Sequence, residues 1–114
     1  DLVGEGVRTA VEIMCALAAP PQSLVLLEEP ERHQHPGSLG LSCRAIWKAA
    51  AAGHQVVIST HSLELIDYLL ATAESQLDGL SLFRLQLQNG ACNSIRVAGE
   101  DLKEARHLVE DELR

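Results

Sequence analysis

Two short apolar runs constrain the fold of this chain more than any other feature, because each ends in polar residues and leads into a stretch with helical periodicity. The first run is Leu24–Leu27, which stops at Glu28 and Glu29, and the second is Val56–Ile58, which stops at a serine. Continuous apolar runs of this length are typical of strands buried on both faces, and strands that alternate with helices pair in parallel. The runs therefore predict an α/β fold with short parallel strands covered by helices.

Three helices are predicted around these strands. A broad apolar face over residues 6–19 predicts a well-buried first helix. A second helix is expected over residues 39–52, with Gly53 as its stop, and a third over residues 63–74, with Ser62 as its N-cap. The apolar positions at helical spacing in the first helix are Val7, Val11, Met14 and Ala18, joined by Ala10, Ile13 and Leu17.

The last third of the chain has the pattern of an antiparallel hairpin followed by a helix. Apolar and polar residues alternate on both sides of Asn89-Gly90, which is a strong signal for a two-residue turn. A final helix is predicted over residues 101–113. We expect the hairpin to lie at one edge of the parallel sheet. Its alternating apolar residues are Phe83, Leu85 and Leu87, and then Ile95 and Val97.

Size and composition limit the classes of protein to consider. A chain of 114 residues is expected to form a single domain, residues 1–114. The formal net charge of -7 argues against a nucleic-acid binder that neutralises phosphates, and 3% aromatic residues argue against base stacking. No apolar run reaches the length of a membrane span, so we expect a cytoplasmic protein with no membrane contact. The three cysteines form no CxxC pair and are expected to be small apolar residues in a reducing compartment.

Candidate chemistry lies at the ends of the two predicted strands. Glu28 and Glu29 follow the first strand, and ligands of open α/β sheets bind at the carboxyl ends of strands. Successive strand residues point to opposite sides, so one carboxylate can face a metal ion while the other faces an attacking water. His61 follows the second strand just before a helix N-terminus, where an imidazole can donate a hydrogen bond to a phosphate. The alternatives are a solvated acidic loop and a structural histidine.

A transition-metal site is a rival interpretation of the same loop. Glu29, Glu31, His33 and His35 alternate over seven residues, and imidazole with carboxylate is a ligand set for zinc or nickel. Against this, a loop between a strand and a helix is polar in any case. The remaining histidines, His54 and His107, have no partners in sequence and are expected at the surface.

Taken together, these segments resemble those of the ABC-class ATPase domains of AAA-family and OLD-like (overcoming lysogenization defect) bacterial ATPases. Residues 24–31 resemble the Walker B motif of that family, and residues 59–62 resemble its switch-histidine motif. Residues 4–8 resemble the short signature loop that opens a helix in these proteins, and His35-Pro36 resembles the element after Walker B. The resemblance implies a partial P-loop NTPase (ABC ATPase-like) fold.

The resemblance also implies roles for individual residues. Glu28 would hold Mg²⁺, Glu29 would be the general base for the hydrolytic water, and His61 would contact the γ-phosphate of ATP. Glu28 departs from the commoner aspartate at its position. The signature loop would present backbone amides to an ATP bound on a partner subunit. The residues of that cofactor-binding loop are Gly4, Glu5 and Gly6.

One essential part of a nucleotide site is missing from the sequence. A P-loop requires Gly-x-x-x-x-Gly-Lys-[Ser/Thr], and neither Lys48 nor Lys103 follows a glycine. The chain is therefore expected to be the C-terminal half of an ATPase domain, inactive alone, with ATP and Mg²⁺ bound only when a Walker A half or partner subunit completes the site. A homo-oligomer is expected. The alternative is a non-catalytic interaction module that oligomerises through the exposed edge of a half-sheet.

Overall fold

A computed structural model describes residues 7–8, 11–15, 18–32, 34–98, 101–102 and 104. Its described residues divide into two compact units, with the boundary between residues 73 and 74, while the expected single domain stays a prediction. The regular elements in chain order are β1 (Leu24–Glu28), α1 (Pro36–Ala51), β2 (Gln55–Ser59), α2 (Leu63–Thr72), a 3₁₀ helix (Glu74–Gly79), β3 (Ser81–Gln88) and β4 (Ala91–Ala98).

The predicted mixed α/β fold is confirmed, but its strands form two sheets instead of one. β1 pairs with β2 in parallel, in a register that places Leu24 opposite Gln55 and Glu28 opposite Ser59. β3 pairs with β4 in the antiparallel sense. Among the described residues the hairpin shares no ladder with the parallel pair, so the expectation that it lies at an edge of that sheet is wrong.

The core of the first unit lies on one face of the β1–β2 sheet. Leu27 of β1 points into it, with Val25, Val56 and Ile58 packed alongside. α1 and α2 supply most of the remaining core, because their apolar stripes face the sheet. The buried members contributed by helical residues are Ile13, Leu39, Cys43, Ile46, Leu65 and Leu69.

The other face of this sheet is open, which corrects the prediction of strands buried on both faces. Leu24, Leu26 and Val57 are 60%, 70% and 48% exposed. A continuous apolar run does not reveal whether a second layer exists, and the described helices cover one face only.

The N-terminal helical residues also differ from their prediction. Residues 7–8, 11–15 and 18 are helical, as predicted. Ile13 is buried, whereas Val7, Val11 and Met14 are more than half exposed, so the predicted well-buried face is wrong for these residues. The helical spacing was right, and Ile13, which belongs to one margin of the predicted broad face, is its buried member among these residues.

α1 begins three residues earlier than predicted. Pro36 occupies the first turn, and His35 precedes it with extended backbone angles. Proline suits the first turn because its fixed φ matches the helix and its missing N–H would have no partner there. The predicted stop is confirmed: Gly53 has a φ of 100°, and its N–H donates to the carbonyl of Ala50 at 3.1 Å.

α2 begins as predicted and ends two residues early. The Ser62 hydroxyl accepts a hydrogen bond from the backbone N–H of Leu65 at 3.1 Å, which makes Ser62 the N-cap. At the other end, the Trp47 indole donates to the carbonyl of Leu69 at 2.9 Å. That buried bond ties α1 to α2.

The hairpin forms around the predicted turn. Asn89 and Gly90 have φ values of 52° and 78°, the left-handed pair that a type I′ turn requires. The alternation in β3 predicted that Phe83, Leu85 and Leu87 lie on a buried face. That prediction is wrong, because all three side chains are more than half exposed. Leu82 and Val97, which pair with each other on the opposite face, are partly buried.

Two further predictions about burial were wrong. His54 was expected at the surface and is 6% exposed, just after α1. Cys43 is buried, but Cys15 and Cys92 are exposed, so only one cysteine acts as a small apolar core residue. His107 lies outside the described residues.

The predicted final helix is described at three positions only. Residues 101, 102 and 104 are helical, and the remainder of the predicted range lies outside the described residues. Within the part of the chain that is described, no helix has the length and apolar character needed to cross a bilayer.

Candidate functional site

The parallel pair brings the two candidate loops to one edge of its sheet. Glu28 lies opposite Ser59, the last residues of their strands. One residue further on, the N–H of Glu29 donates to the carbonyl of Ser59 at 2.7 Å. The polar residues that follow β1 and β2 therefore start side by side, as the sequence predicted from the parallel arrangement.

Glu29 lies in a sharp bend at the end of β1. Its φ is 43°, in the left-handed region that residues with a Cβ avoid at a cost of about 1–2 kcal/mol. The bend interrupts the alternation of β1, so Glu29 does not continue the strand. Its side chain is 30% exposed and lies over the loop that follows β2.

The carboxylate of Glu29 lies between two basic side chains. Nε2 of His61 is 3.7 Å from Oε1, and a guanidinium nitrogen of Arg32 is 3.5 Å from Oε2. The His61 side chain is 93% exposed, so solvent and any bound molecule can reach it. Glu29 and His61, both predicted as site residues, are therefore neighbours. Arg32 had no predicted role.

Glu28 has a different environment from Glu29. It is exposed and belongs to the same alternating set as Leu24 and Leu26, which places it on the open face of the sheet. The two carboxylates therefore have different surroundings, and the bend at Glu29, rather than the predicted alternation of strand side chains, separates them.

A second contact joins the two loops. The Thr60 hydroxyl donates to Oε1 of Glu31 at 2.6 Å, and it accepts from the N–H of Ser62 at 2.9 Å. Oε2 of Glu31 is buried and has no hydrogen-bond partner among the described residues. Sequence reasoning missed Glu31 as part of this link, because nothing in a linear pattern pairs a particular acid with a particular hydroxyl.

The loop from Glu29 to α1 is folded into turns. The N–H of Arg32 donates to the carbonyl of Glu29 at 3.1 Å, and the N–H of Gln34 donates to that of Glu31 at 3.2 Å. The Gln34 side chain donates to the carbonyl of Pro30 and accepts from the Ser42 hydroxyl of α1, the latter at 2.8 Å. A uniformly solvated acidic loop, one alternative from the sequence, does not describe this segment.

The negative charge of Glu31 affects the thiol of Cys43, a buried residue of the core. Burial, and secondarily the negative charge of Glu31, raise the pKa of the Cys43 thiol from 9.0 to about 12. Both causes disfavour a thiolate, because an anion there loses its hydration and meets a second negative charge. The Cys43 thiol is therefore a neutral packing group rather than a nucleophile.

The rival metal site finds no support in the geometry. Across the described ranges, which omit His33, no cluster of three or more His, Cys, Asp or Glu side chains is placed to hold a metal ion. His35 precedes α1, and its side chain makes no capping hydrogen bond.

The signature loop cannot be placed in the same way. Gly4, Glu5 and Gly6, predicted as cofactor-binding residues, lie outside the described residues. Their role stays a prediction.

Comparisons with known proteins identify the family of the chain. A family model described as "AAA domain, putative AbiEii toxin, Type IV TA system" matches residues 1–67, more than half of the 114-residue chain. The match includes β1, α1, β2 and both loops. The uncharacterized protein MJECL11 of Methanocaldococcus jannaschii is 28% identical over 114 residues, which cover 98% of this chain and 99% of that protein. No solved structure matches the chain significantly. The extent of the family match shows that the chain belongs to this AAA family, whose domains are P-loop ATPase-like.

Proposed function

We propose that this chain supplies the water-activating and γ-phosphate-sensing part of an ATP-hydrolysing site of the ABC class, with Walker B at residues 24–31 and the switch histidine at His61. The observation that carries the proposal is the approach of Glu29 to His61, 3.7 Å between Oε1 and Nε2. A base for the attacking water and a donor for the γ-phosphate act on adjoining atoms of one reacting group, so their side chains have to reach the same small volume.

Glu29 is the general base in this proposal. Its carboxylate is partly exposed, so a water can reach it and transfer a proton to one of its oxygens as the water attacks. The bend at Glu29 aims the side chain over the neighbouring loop instead of along the strand. His61 donates its imidazole N–H to the phosphate, and its 93% exposure leaves that nitrogen accessible.

The residues present fit a magnesium ion held jointly with a nucleotide. Mg²⁺ usually keeps several waters and takes one or two carboxylates together with substrate phosphates. Glu28 offers an exposed carboxylate, with Ser59 beside it across the ladder. When bound, the ion would neutralise charge on the phosphates. Glu28 would hold it through water, because glutamate is longer than the commoner aspartate.

The site is completed by another polypeptide segment or by a second subunit. No lysine of this chain follows a glycine, so a P-loop has to come from elsewhere. Gly4, Glu5 and Gly6 present backbone amides to ATP bound on a partner. Isolated, the chain binds MgATP no better than about millimolar, since most phosphate contacts belong to the P-loop. Calorimetry that gives a micromolar, magnesium-dependent complex contradicts this part of the proposal.

The decisive experiment supplies a Walker A segment by fusion or co-expression and measures ATP turnover. Glu29→Gln is expected to lower turnover by about 10²–10⁴-fold while ATP binding is kept, because the amide retains the size but cannot accept the proton. Glu28→Gln should weaken the magnesium dependence, and His61→Ala should slow turnover with a modest loss of affinity. Glu64→Gln, an exposed change in the first turn of α2, is the matched control. Equal turnover in Glu29→Gln and Glu64→Gln refutes the assignment of the base.

A second candidate function is an oligomerising module without catalysis. The observation that favours it is the open face of the β1–β2 sheet, where Leu24, Leu26 and Val57 are exposed. Contiguous apolar surface of this kind marks interaction sites. In either function a homo-oligomer, or the missing half, covers this face.

Light scattering of the purified chain tests the oligomeric state. A dimer or larger species is expected, and Leu26→Glu should dissociate it because a charge would be buried in the contact. Leu41→Glu is the matched control, since Leu41 is equally exposed but lies on α1. A wild-type monomer at micromolar concentration contradicts the expectation.

The cellular setting is proposed from charge and composition. A net charge of -7 disfavours direct binding to nucleic acid, so any such partner contacts other parts of the completed ATPase. We place the protein in the cytoplasm, where ATP is available.

A further inference from the structure

The contact between Glu31 and Thr60 is the feature of the loops that the proposed function leaves unused. The Thr60 hydroxyl makes two hydrogen bonds at this contact. It donates to Glu31 at 2.6 Å and accepts from the N–H of Ser62 at 2.9 Å. The residue between Thr60 and Ser62 is His61. The chain on each side of His61 is therefore fixed by the same threonine oxygen.

His61 has little else to hold it in place. Its side chain is 93% exposed, so packing does not restrict it, and its contact with Glu29 is a long one of 3.7 Å. Immediately after it, Ser62 caps α2 through the N–H of Leu65. The backbone position of His61 is set by this cap on one side and by Thr60 on the other.

Glu31 is anchored at its own end of the link. Its carbonyl accepts from the N–H of Gln34, and Gln34 is tied in turn to Ser42 of α1. Placing a carboxylate beside the buried Cys43 is unfavourable unless the carboxylate is hydrogen-bonded, and the Thr60 hydroxyl supplies one such bond. The link thus connects α1, through the loop after β1, to the loop after β2.

We infer that Glu31 is a positioning residue that holds His61 against Glu29 by way of Thr60. The inference deepens the proposed function, on which the meaning of the Glu29–His61 pair rests. Glu31 touches neither member of the pair through a hydrogen bond and is not a catalytic residue. It fixes the distance between two loops whose other contacts, among the described residues, are a strand-end hydrogen bond and the pair itself.

Nuclear magnetic resonance on the full chain, without nucleotide, tests the inference. The readout is the change in the carbon and proton shifts of the His61 ring that Glu29→Gln causes at a fixed pH, because that change reports the proximity of the two side chains. In the wild-type background a clear change is expected. In the Glu31→Ala and Thr60→Val backgrounds most of it should be lost, since residues of one network are coupled.

Two matched variants separate positioning from general destabilisation. Thr60→Ser keeps the hydroxyl and should restore the His61 response. Thr72→Val removes a threonine hydroxyl that bonds only within α2 and should leave the response intact. If Glu31→Ala fails to fold, as judged from the Trp47 indole resonance, the comparison of Thr60→Val with Thr60→Ser carries the test.

Two results overturn the inference. One is an undiminished response in Thr60→Val, and the other is no response to Glu29→Gln in the wild-type background. If the completed ATPase does not hydrolyse ATP, the proposed function is refuted. The inference about Glu31 is still tested separately, because the resonance measurement uses no nucleotide.

Discussion

The two strand pairs of this molecule are held together by different means. In the parallel pair β1–β2, 26 residues lie between the two strands, from Glu29 to His54, and they include all of α1. The two strands depend on that helix to come together. The hairpin β3–β4 closes through two residues, Asn89 and Gly90. The parallel pair ends in charged side chains from two separate loops, whereas the hairpin ends in a tight turn. Only the first arrangement brings together residues that are distant in sequence, and the candidate site lies there.

The two strand pairs also differ in how far their side chains are buried. β1 and β2 place alternate residues into a core that contains Leu65 and Cys43, both fully buried. The hairpin leaves Phe83, Leu85 and Leu87 exposed on one face. Rigid positioning of side chains requires a packed support, so the parallel pair is the better platform for chemistry.

The largest difference between the two pairs should appear in core truncations. Leu65→Ala, which removes a side chain with no exposed area beneath the parallel pair, should lower the free energy of unfolding by about 2–5 kcal/mol. Leu87→Ala in the hairpin should change it by less than about 0.5 kcal/mol, because that side chain is 76% exposed. Urea titrations followed by circular dichroism measure both. Comparable losses would mean that the hairpin face is covered in solution.

The buried cysteine in the core of the first unit predicts a pH dependence of stability. The folded-state pKa of Cys43 is raised from 9.0 to about 12, so between these values the unfolded chain releases a proton that the folded chain keeps. Stability from this group is therefore complete below pH 9.0 and declines as pH rises toward 12, by up to about 1.4 kcal/mol per pH unit. Cys43→Ala should remove that slope from the unfolding free energy. Cys92→Ala, in the exposed hairpin strand, should leave the slope of the wild type, and an identical slope in all three proteins contradicts the burial of Cys43.

The smallest effects should come from left-handed backbone positions, one beside each strand pair. Gly90→Ala should cost about 1 kcal/mol, and the cost is conformational because no atom lies within 4 Å of the added Cβ. Glu29→Gly should be more stable than Glu29→Ala by about 1 kcal/mol, since both lose the carboxylate but only glycine adopts the φ of 43° without penalty. Thermal unfolding of the four chains, wild type included, gives the differences. Glu29→Gly no more stable than Glu29→Ala would mean that the bend is relaxed in solution.

Much of the candidate site followed from local pattern. Strands that end in Glu28-Glu29 and in Ser59 to Ser62, with a helix between them, had to place these residues at one sheet edge if the strands were parallel. What could not be predicted was the pairing of individual side chains. Thr60 with Glu31, and Arg32 with Glu29, depend on the turns of a loop whose shape is set by its attachment to α1.

In the hairpin, a local turn signal predicts the pairing of both strands. Asn89-Gly90 places the turn, and a two-residue turn fixes the register, so Gln88 pairs with Ala91 and Phe83 with Arg96. Counting along that register puts Ile95 and Val97 on the opposite face from Phe83. The alternating apolar residues of the two strands therefore lie on opposite faces of the hairpin. This result could have been predicted from the sequence by counting outward from the turn.

Several local elements follow from the sequence because they depend on neighbouring residues: the strands, the turn at Asn89-Gly90, the cap at Ser62 and the stop at Gly53. Each is decided by steric and hydrogen-bonding preferences over a few residues. The tertiary structure alone decided which faces are covered. Leu26 and Leu27 are indistinguishable as a pattern, yet one is 70% exposed and the other 8%, because burial depends on where distant helices pack. The same dependence on distant packing brought Glu31 to Thr60 and His61 to Glu29.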